Sequence, residues 1–490
     1  MSLERRTASI TAAPPSATGR RAGLGCAALL TLLCLLSAVG PAVAHGATVS
    51  VSLGDSFISG QAGRWQGNST DALGNRSGTD RACVATPFGC RYERDRVYLG
   101  QTAPPGCARS DVAEIMSARI GVQKSINIAC SGAQTKEIFR ASNGGRRFKG
   151  EAPQADQLAR IAREHRVKLI ALSIGGNDIG FESLVISCVI AYATRARPCA
   201  RAVQASVDQK LPAAVAGVAK AVGEIRAVMR SAGYRPWDYR IVLQSYPSPV
   251  PRAAENRYPE LSVGRPFVGG CPFYDQDSDA ARDTLVPVLD DNLRAIALVT
   301  GVQFLSLRDA FQGREACSEG SSLVDRANPP SSARSEWTRA IGIGPILQGQ
   351  GIDEEAHPNA YGQQALGRCL TLRSARRTGS WRCRNTPGRG TNSMFLTRVS
   401  ASPERYRMRL RVSPRRVMAG RRRCFRFRVL SGGQPVAGAG VRLGRARGRT
   451  NSRGRLRRCT RLGARRYRAR ATRGDFRPVS VIVWGRSPRR

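Results

Sequence analysis

Hydrophobic and polar residues follow one pattern before about residue 372 and another after it. In the first part, apolar runs such as Val167–Ile174 alternate with amphipathic stretches such as Pro153–His165. Short apolar runs between turn signals are typical of buried strands, and their alternation with helices indicates a parallel sheet covered on both faces. The pattern therefore predicts a three-layer α/β/α domain over residues 45–372 with a central parallel sheet.

The same pattern locates the main elements of this domain. It predicts strands at Thr48–Leu53, Val167–Ile174, Arg240–Tyr246 and Val302–Leu307, and helices at Pro153–His165, Val203–Ala232 and Ser278–Val299. Because ligands of open parallel sheets bind outside the carboxyl ends of the strands, we expect the functional residues in the turns that follow them. Polar turns at Ser56 and at Gly175–Asp178 lie at this edge.

Apolar residues alternate with arginine at a period of two in the last part of the chain. The runs are Tyr406–Val412, Cys424–Leu430, Gly440–Leu443, Arg466–Ala469 and Val479–Trp484. Short strands separated by glycine-containing turns predict a small β-sandwich-like domain over 399–490, with arginine on its outer faces. Residues 373–398, rich in Gly, Pro and Arg and without periodicity, are interpreted as a linker.

The first 44 residues have the composition of a signal peptide. Arginines precede an apolar stretch, Ala22–Val39, and Ala42–Ala44 offers a cleavage site with small residues. An uncleaved membrane anchor is the alternative, because the apolar stretch is marginally long enough to span a bilayer. We interpret the chain as secreted, extracellular or associated with the cell envelope.

Export changes the meaning of the cysteines. Of 14 cysteines, Cys26 and Cys34 lie in the signal segment, which leaves an even number in an oxidising environment. Metal binding is the weaker alternative, because there is no Cys-x-x-Cys pair and there are few histidines. Spacing suggests disulfides between near neighbours: Cys83–Cys90, Cys107–Cys130, Cys188–Cys199, Cys271–Cys317, Cys369–Cys383 and Cys424–Cys459.

The positive charge is concentrated at one end of the chain. The formal net charge is +43, of which +34 comes from residues 373–490, with 36 arginines, no lysine and two acids. The rest of the chain is nearly neutral by comparison. An arginine-rich domain predicts binding of polyanions such as envelope phosphates, lipid head groups or acidic polysaccharide. Nucleic acid is a weaker candidate as the ligand because aromatic residues are sparse in this domain. Alternatively, the arginines bind no ligand and only make the surface soluble.

A serine follows the first predicted strand in the sequence Gly54-Asp55-Ser56. A serine on a turn after a buried strand presents its hydroxyl to solvent, and it becomes a nucleophile when a base takes its proton. The chain has three histidines. His45 lies at the processed terminus and His165 in a charged junction, so His357 is the candidate base.

Four short blocks occur in one order: Gly-Asp-Ser at 54–56, Cys-Ser-Gly at 130–132, Gly-Gly-Asn-Asp at 175–178 and His-Pro-Asn at 357–359. This order resembles the SGNH (GDSL-type) hydrolases, and the Cys-Ser-Gly version resembles their secreted actinobacterial lipases and esterases. The resemblance covers about residues 48–370. It implies that Ser56 is the nucleophile, that His357 is the base, and that Gly132, Asn177 and the Ser56 amide form the oxyanion hole.

The residue that orients the histidine departs from the pattern of that family. The usual acid lies three residues before the histidine, where this chain has Glu354, and Asp353 is a competitor. Some secreted relatives use a main-chain carbonyl for this purpose instead. We expect Glu354 to take this role.

The resemblance implies a serine hydrolase of the lipase or esterase type, which cleaves a carboxylic ester without metal or cofactor. We expect the chain to be a monomer. Carbohydrate O-acetyl esters fit the same machinery. The alternative from another functional class is a non-catalytic protein with the same fold that binds the cell envelope. In such a protein Ser56 would not react as a nucleophile.

Overall fold

The computed structural model describes residues 46–69, 78–100, 106–343, 353–399, 406–431, 434–436, 438–451, 454–473 and 476–487. The predicted signal peptide, residues 1–44, and His45 lie outside the described residues. Among the helices that are described, none is both long and apolar enough to cross a membrane.

The first part of the chain alternates strands with helices. Its strands are β1 (Gly46–Gly54), β2 (Cys83–Thr86), β3 (Gly89–Tyr92), β4 (Lys124–Asn127), β5 (His165–Ser173), β6 (Arg240–Gln244), β7 (Gln303–Ser306), β8 (Ser380–Arg384) and β9 (Phe395–Arg398). Its α-helices are α1 (Ser56–Ser59), α2 (Glu114–Ser117), α3 (Gln154–Glu164), α4 (Phe181–Ala193), α5 (Ala200–Ser231), α6 (Gly264–Phe267), α7 (Asp275–Ala280), α8 (Val286–Thr300) and α9 (Ala360–Ser374).

Seven of these strands form one sheet in the order β4-β1-β5-β6-β7-β8-β9. All neighbouring pairs are parallel except β8 and β9, which are antiparallel. Ile170 and Leu172 of β5 pack into one hydrophobic cluster with α3, α5 and α8, whereas Leu169 and Ala171 pack into another with α9. Burial on both faces explains the nearly continuous apolar sequence of β5. The predicted α/β organisation with a central, mostly parallel sheet is confirmed.

The structure differs from the sequence interpretation at the edges of this sheet. The segment 373–398, interpreted as a linker, contains β8 and β9. Ser380–Arg384 is polar and rich in arginine, so its pattern is that of a loop, yet β7 pairs with it and a disulfide from Cys369 holds Cys383 in the core. Strand β4, Lys124–Asn127, was missed for the same reason, because an edge strand needs less apolar surface.

The last part of the chain is built from short strands. They are β10 (Tyr406–Ser413), β11 (Arg416–Met418), β12 (Arg422–Ser431), β13 (Gln434–Pro435), β14 (Gly440–Leu443), β15 (Ala446–Arg449), β16 (Arg455–Arg461), β17 (Arg466–Thr472), β18 (Phe476–Arg477) and β19 (Val479–Arg486). They form two five-stranded sheets, one around β10 and β12 and the other around β17 and β19. Apolar residues of both sheets, including Phe427 and Val483, share one buried cluster. A C-terminal β-rich region is therefore confirmed.

All six predicted cysteine pairs are disulfide-bonded in the structure. Cys188, Cys199 and the carboxylate of Asp277 lie close enough together to suggest a metal site. Both sulfur atoms are already bonded to each other, however, so they cannot act as thiolate ligands. This number of disulfides is consistent with an extracellular protein.

Gln154 ties the start of α3 to the end of β1. Its side-chain amide accepts a hydrogen bond from the Gly54 N–H at 2.7 Å and donates one to the Gly54 carbonyl at 2.8 Å. The side chain is buried, so water cannot replace these bonds. Gly54 precedes Asp55 and Ser56, and Gln154 therefore fixes the position from which the serine turn begins.

We expect Gln154→Leu to lower the free energy of unfolding by about 2 kcal/mol, because it leaves the buried Gly54 N–H without an acceptor. Gln157→Leu, on the same helix but with a partly exposed amide, is the control and should cost less than about 1 kcal/mol. Urea unfolding of the oxidised protein measures both. Equal losses in the two variants would contradict the role given to Gln154.

Candidate functional site

Three neighbouring parallel strands end at the same edge of the sheet, and each is followed by one of the sequence blocks. Asp55 and Ser56 follow β1, Cys130–Gly132 follows β4, and Gly175–Asn177 follows β5. The Asp55 N–H donates to the Ser173 carbonyl at 3.1 Å, and the Cys130 N–H donates to the Gly54 carbonyl at 3.0 Å. Backbone hydrogen bonds therefore hold the three blocks together.

Ser56 is the first residue of α1, and Asp55 caps this helix by accepting a hydrogen bond from the Phe57 N–H at 3.1 Å. The turn needs glycine at position 54, where φ is +141° and a Cβ atom would lie 1.9 Å from the Ser173 carbonyl oxygen. A serine at the start of a helix faces the positive end of the backbone dipoles. The local sequence Gly-Asp-Ser is thus explained by backbone geometry as well as by any chemistry.

His357 lies against Ser56. The Ser56 hydroxyl donates to Nε2 of His357 at 2.7 Å, while Nδ1–H of the ring donates to the Glu355 carbonyl at 2.7 Å. This assignment of the ring proton follows from the acceptor at Nδ1. Ala356, between the two residues, has a φ of +60°, and this left-handed conformation turns the Glu355 carbonyl back toward the ring.

The backbone around His357 is clamped by a neighbouring segment. The Ala356 N–H donates to the Arg339 carbonyl, and the Arg339 N–H donates to the His357 carbonyl, both at 2.9 Å. The Asn359 N–H donates to the Trp337 carbonyl at 2.9 Å. These bonds hold the positive φ of Ala356, which costs about 1–2 kcal/mol in an unsupported chain.

Burial lowers the pKa of His357 from 6.5 to about 4. The opposing effect of the Glu355 carbonyl is smaller. The imidazole is therefore neutral at neutral pH, with a free lone pair at Nε2 that can accept the serine proton.

Neither predicted carboxylate is hydrogen-bonded to the His357 ring, and the expectation for Glu354 is corrected. The Glu354 carboxylate accepts hydrogen bonds from Trp65 Nε1 and from the Tyr98 hydroxyl, each at 2.5 Å, and pairs with Arg94 at 3.3 Å. The side chain points away from the ring because these donors from distant parts of the chain satisfy both of its oxygens. The Glu355 carbonyl occupies the position at Nδ1 instead.

Asp353, the competing acid, is also engaged elsewhere. Its carboxylate accepts a hydrogen bond from Gln61 Nε2 at 3.0 Å and pairs with Arg94 at 3.3 Å. Gln61 also bonds the main-chain carbonyl of Asp353 and accepts a hydrogen bond from the Ser131 hydroxyl at 2.5 Å. Gln61 thus links the block after β4 to the segment before His357, a role that the sequence did not indicate.

Three hydrogen-bond donors lie on the blocks around Ser56. Within the described part of the chain, the Ser56 and Gly132 amides have no acceptor. Gly132 has a φ of +84°, which glycine adopts without strain. The Asn177 side-chain amide donates one hydrogen to the Ala133 carbonyl at 3.0 Å. This leaves its second amide hydrogen available.

A buried acid lies behind the serine. The Asp55 carboxyl accepts a hydrogen bond from the Tyr246 hydroxyl at 2.5 Å, and this hydroxyl in turn accepts one from the Gly176 N–H at 3.1 Å. Burial raises the pKa of Asp55 to about 7. Asp55 therefore links the blocks after β1 and β5 through Tyr246, which follows β6.

An apolar cleft begins at Ser56 and continues beneath α4. Phe57, Ile179 and Phe181 line it close to the serine together with Leu285 and Val286. Phe181, Leu285 and Val286 also line an adjoining apolar cavity, which reaches Ala356 beside the histidine and the Cys188–Cys199 disulfide. The site can therefore receive an apolar group next to the reactive hydroxyl.

His165, the other described histidine, is remote from this site. It begins β5, where it pairs with Gly46 at the start of β1. Ser56 follows the opposite end of β1. The sequence thus selected the histidine that meets the serine, but it missed the Glu355 carbonyl, Gln61 and Tyr246 because none of them belongs to a recognisable block.

Comparisons with known proteins do not identify a family. No family model and no curated protein matches the chain. One matching solved structure is a modular endo-beta-1,4-mannanase of glycoside hydrolase family 26 from Cellulomonas fimi, with 13% identity over 80% of this chain and 93% of that chain. Its TM-score is 0.19, too low to carry an argument about fold or function.

These findings correct the family prediction. The SGNH assignment, and with it the lipase or carboxylic ester hydrolase that it implied, finds no match among the family models or the curated proteins. We therefore withdraw the family name and the ester specificity. The same four blocks still meet in space around Ser56, and the function proposed below follows from the geometry of these residues alone.

The Glu355 carbonyl, rather than the Glu354 carboxylate, is expected to set the reactivity of Ser56. Glu354→Gln should change the rate of Ser56 modification by a fluorophosphonate less than about threefold. Loss of an acid that orients a catalytic histidine costs about 10⁴-fold. A loss of that size in Glu354→Gln, with the melting temperature unchanged, would restore Glu354 as the orienting acid.

The rate of Ser56 modification should fall on the acid side only when His357 becomes protonated. Since the pKa of His357 is lowered from 6.5 to about 4, we expect a constant rate from about pH 7 to about pH 5 and a decline below that. Asp55→Asn is the control, because the pKa of Asp55 is raised to about 7. A decline near pH 7 that disappears in Asp55→Asn would assign the titration to Asp55 and contradict this account.

Proposed function

We propose that this chain is a hydrolase in which Ser56 is the nucleophile and His357 is its general base. The observation that supports this most directly is the 2.7 Å hydrogen bond from the Ser56 hydroxyl to Nε2 of a buried, neutral His357. A nucleophile and a base within hydrogen-bond reach, with the base oriented by a third group, is the arrangement that covalent catalysis requires.

The proposed reaction transfers an acyl group to Ser56 and then to water. The Ser56 oxygen bonds to the carbonyl carbon as its proton moves to His357 Nε2. The bond to the leaving group then breaks, and Nε2–H returns the proton to that group. A water molecule attacks the acyl-Ser56 carbon, gives its proton to Nε2, and releases the acid and the free Ser56 hydroxyl.

Three donors near Ser56 support the stabilisation of negative charge in this reaction. The Ser56 and Gly132 amides lack acceptors among the described residues, and the Asn177 side chain has a second amide hydrogen. Removal of one such donor costs about 3–4 kcal/mol in other enzymes. We therefore assign Ser56, Gly132 and Asn177 to an oxyanion site.

The surroundings of the serine favour an apolar group on the substrate. Phe57, Phe181 and Leu285 line the cleft beside Ser56, and the adjoining cavity is apolar as well. Because apolar surface removed from water contributes about 25 cal/mol per Å², this cleft would select substrates by their apolar part. The disulfides and the signal-like first 44 residues support action outside the cytoplasm, either secreted or at the cell envelope.

A glycosidase mechanism is not proposed. It uses two carboxyl groups that flank the bond to be cleaved, whereas Asp55 and Asp178, which adjoin Ser56 and Asn177, are both held by protein donors. Asp55 is bonded by Tyr246 and Phe57, and Asp178 by the hydroxyl and the N–H of Thr135.

A fluorophosphonate probe tests the proposal, since it bonds covalently to an activated serine and needs no knowledge of the substrate. We expect stoichiometric labelling of the oxidised full chain at Ser56, identified by peptide mass spectrometry. Ser56→Ala and His357→Gln should abolish labelling, and Asn177→Ala should slow it about 10²–10³-fold.

Ser131→Ala is the matched control, because Ser131 lies on the next block but donates its hydroxyl to Gln61 rather than to the histidine. It should be labelled at the rate of the unchanged chain. Absence of labelling in oxidised, folded protein would reject the nucleophile and favour a binding protein.

A further inference from the structure

Arginines lie directly opposite one another on three neighbouring strands of the C-terminal β region. Arg428 of β12 is paired with Arg411 of β10 on one side and with Arg455 of β16 on the other. The next residues, Val412, Phe427 and Leu456, are buried, so the three arginines share the outer face of this sheet. We call these three residues the first arginine row.

The opposite sheet carries a second row. Arg442 of β14 is paired with Arg470 of β17 and with Arg447 of β15, and all three are exposed. The inner faces of the two sheets share one hydrophobic cluster, so the two rows face in opposite directions.

Among the described residues, no acid is paired with an arginine of these rows. The two acids of residues 373–490, Glu404 and Asp475, lie outside the described residues, and no described ion pair involves an arginine of the region 406–487. Like charges directly opposite each other on a sheet are destabilising, and strands are only about 4.8 Å apart. A row that weakens its own sheet is best explained by an external anion.

Buried apolar residues and a disulfide offset the repulsion between the paired arginines. Phe425, Phe427 and Val429 of β12 are buried in the shared cluster, and the Cys424–Cys459 disulfide joins β12 to β16 four residues along the strands from the first row. The sheet is therefore held together by its inner face and by a covalent bond while its outer face repels cations. This arrangement leaves the guanidinium groups free for a ligand.

We propose that the arginine rows bind a flexible linear phosphodiester polymer outside the cell. A guanidinium group forms paired hydrogen bonds with a phosphate, and a row with the spacing of neighbouring strands suits anions repeated closely along a chain. A shallow concavity on the first sheet is lined by Arg411, Arg428 and Arg455 together with Arg415, Arg426 and Arg457. This concavity extends the first arginine row, so that a polymer bound to the row can continue across the sheet.

Two observations favour a flexible polymer over a membrane or a nucleic acid. A flat bilayer can contact one face of the sandwich, whereas a flexible chain can follow both rows. Membrane docking and single-strand binding both use exposed apolar or aromatic side chains. Among the described residues of the β region, Met418 and Trp484 are the large apolar side chains that are exposed, each at 41%, and Arg466 covers the Trp484 ring at 4.9 Å.

Binding of the oxidised full chain to poly(glycerol phosphate), measured over a range of NaCl concentrations, tests the proposal. Arg411→Gln/Arg428→Gln/Arg455→Gln should weaken binding about tenfold or more and reduce the slope of log affinity against log salt by about 2. The control Arg160→Gln/Arg163→Gln/Arg230→Gln removes the same charge from exposed arginines of the α/β part. It should change the affinity less than about threefold.

Thermal unfolding at low salt accompanies the binding measurement, because glutamine relieves the repulsion within the row and should leave the melting temperature equal or higher.

Arg442→Gln/Arg447→Gln/Arg470→Gln repeats the test on the second sheet. If the control triple variant lost as much affinity for poly(glycerol phosphate), net charge alone would explain the binding and the proposal would be overturned. Tighter binding of phosphatidylglycerol vesicles, of polygalacturonate or of single-stranded DNA would overturn it as well. Ser56 labelling should be unchanged in every variant, so this test is independent of the proposed hydrolase.

Discussion

The hydrogen bond from the Ser56 hydroxyl to His357 Nε2 is the interaction on which the proposed chemistry depends, because it joins residues 301 positions apart. The fold supports it from both sides. Gln154 fixes the end of β1, and Gln363 of α9 donates to the Phe57 carbonyl at 2.8 Å and accepts from the Glu114 N–H at 2.9 Å. The helix that follows the histidine is thereby anchored to the helix that begins with the serine.

Nδ1 of His357 bonds the Glu355 carbonyl rather than a carboxylate, and this changes the electrostatics of the ring. A negative partner there would stabilise the imidazolium and raise the pKa, whereas the Glu355 carbonyl opposes the effect of burial only in part, so the pKa falls to about 4. The ring stays neutral over a wide pH range. The buried Asp55 binds Tyr246 and caps α1 instead, and burial raises the pKa of this acid to about 7.

The sequence predicted those site residues and disulfides for which there were few candidates. It did not predict interactions made by the main chain or by residues far apart in the sequence. Three histidines made His357 easy to select, and the six cysteine pairs followed from near spacing. The Glu355 carbonyl carries no sequence signal, since every residue has one. Glu354 was wrongly expected because its partners, Trp65 and Tyr98, come from 289 and 256 positions away. The edge strand β4 and the strand β8 lacked the apolar pattern of buried strands. The family inferred from the four blocks found no match.

The protonation state of His357 tests the central claim most directly, because it follows from the geometry alone. Nitrogen-15 NMR of histidine-labelled protein resolves the two ring nitrogens of each of the three histidines, and His357→Gln identifies the signals. The account predicts a neutral ring at pH 7 with the proton on Nδ1, a bare Nε2, and titration well below the ordinary 6.5, near 4. A His357 ring that is charged at pH 7, or that carries its proton on Nε2, would contradict it.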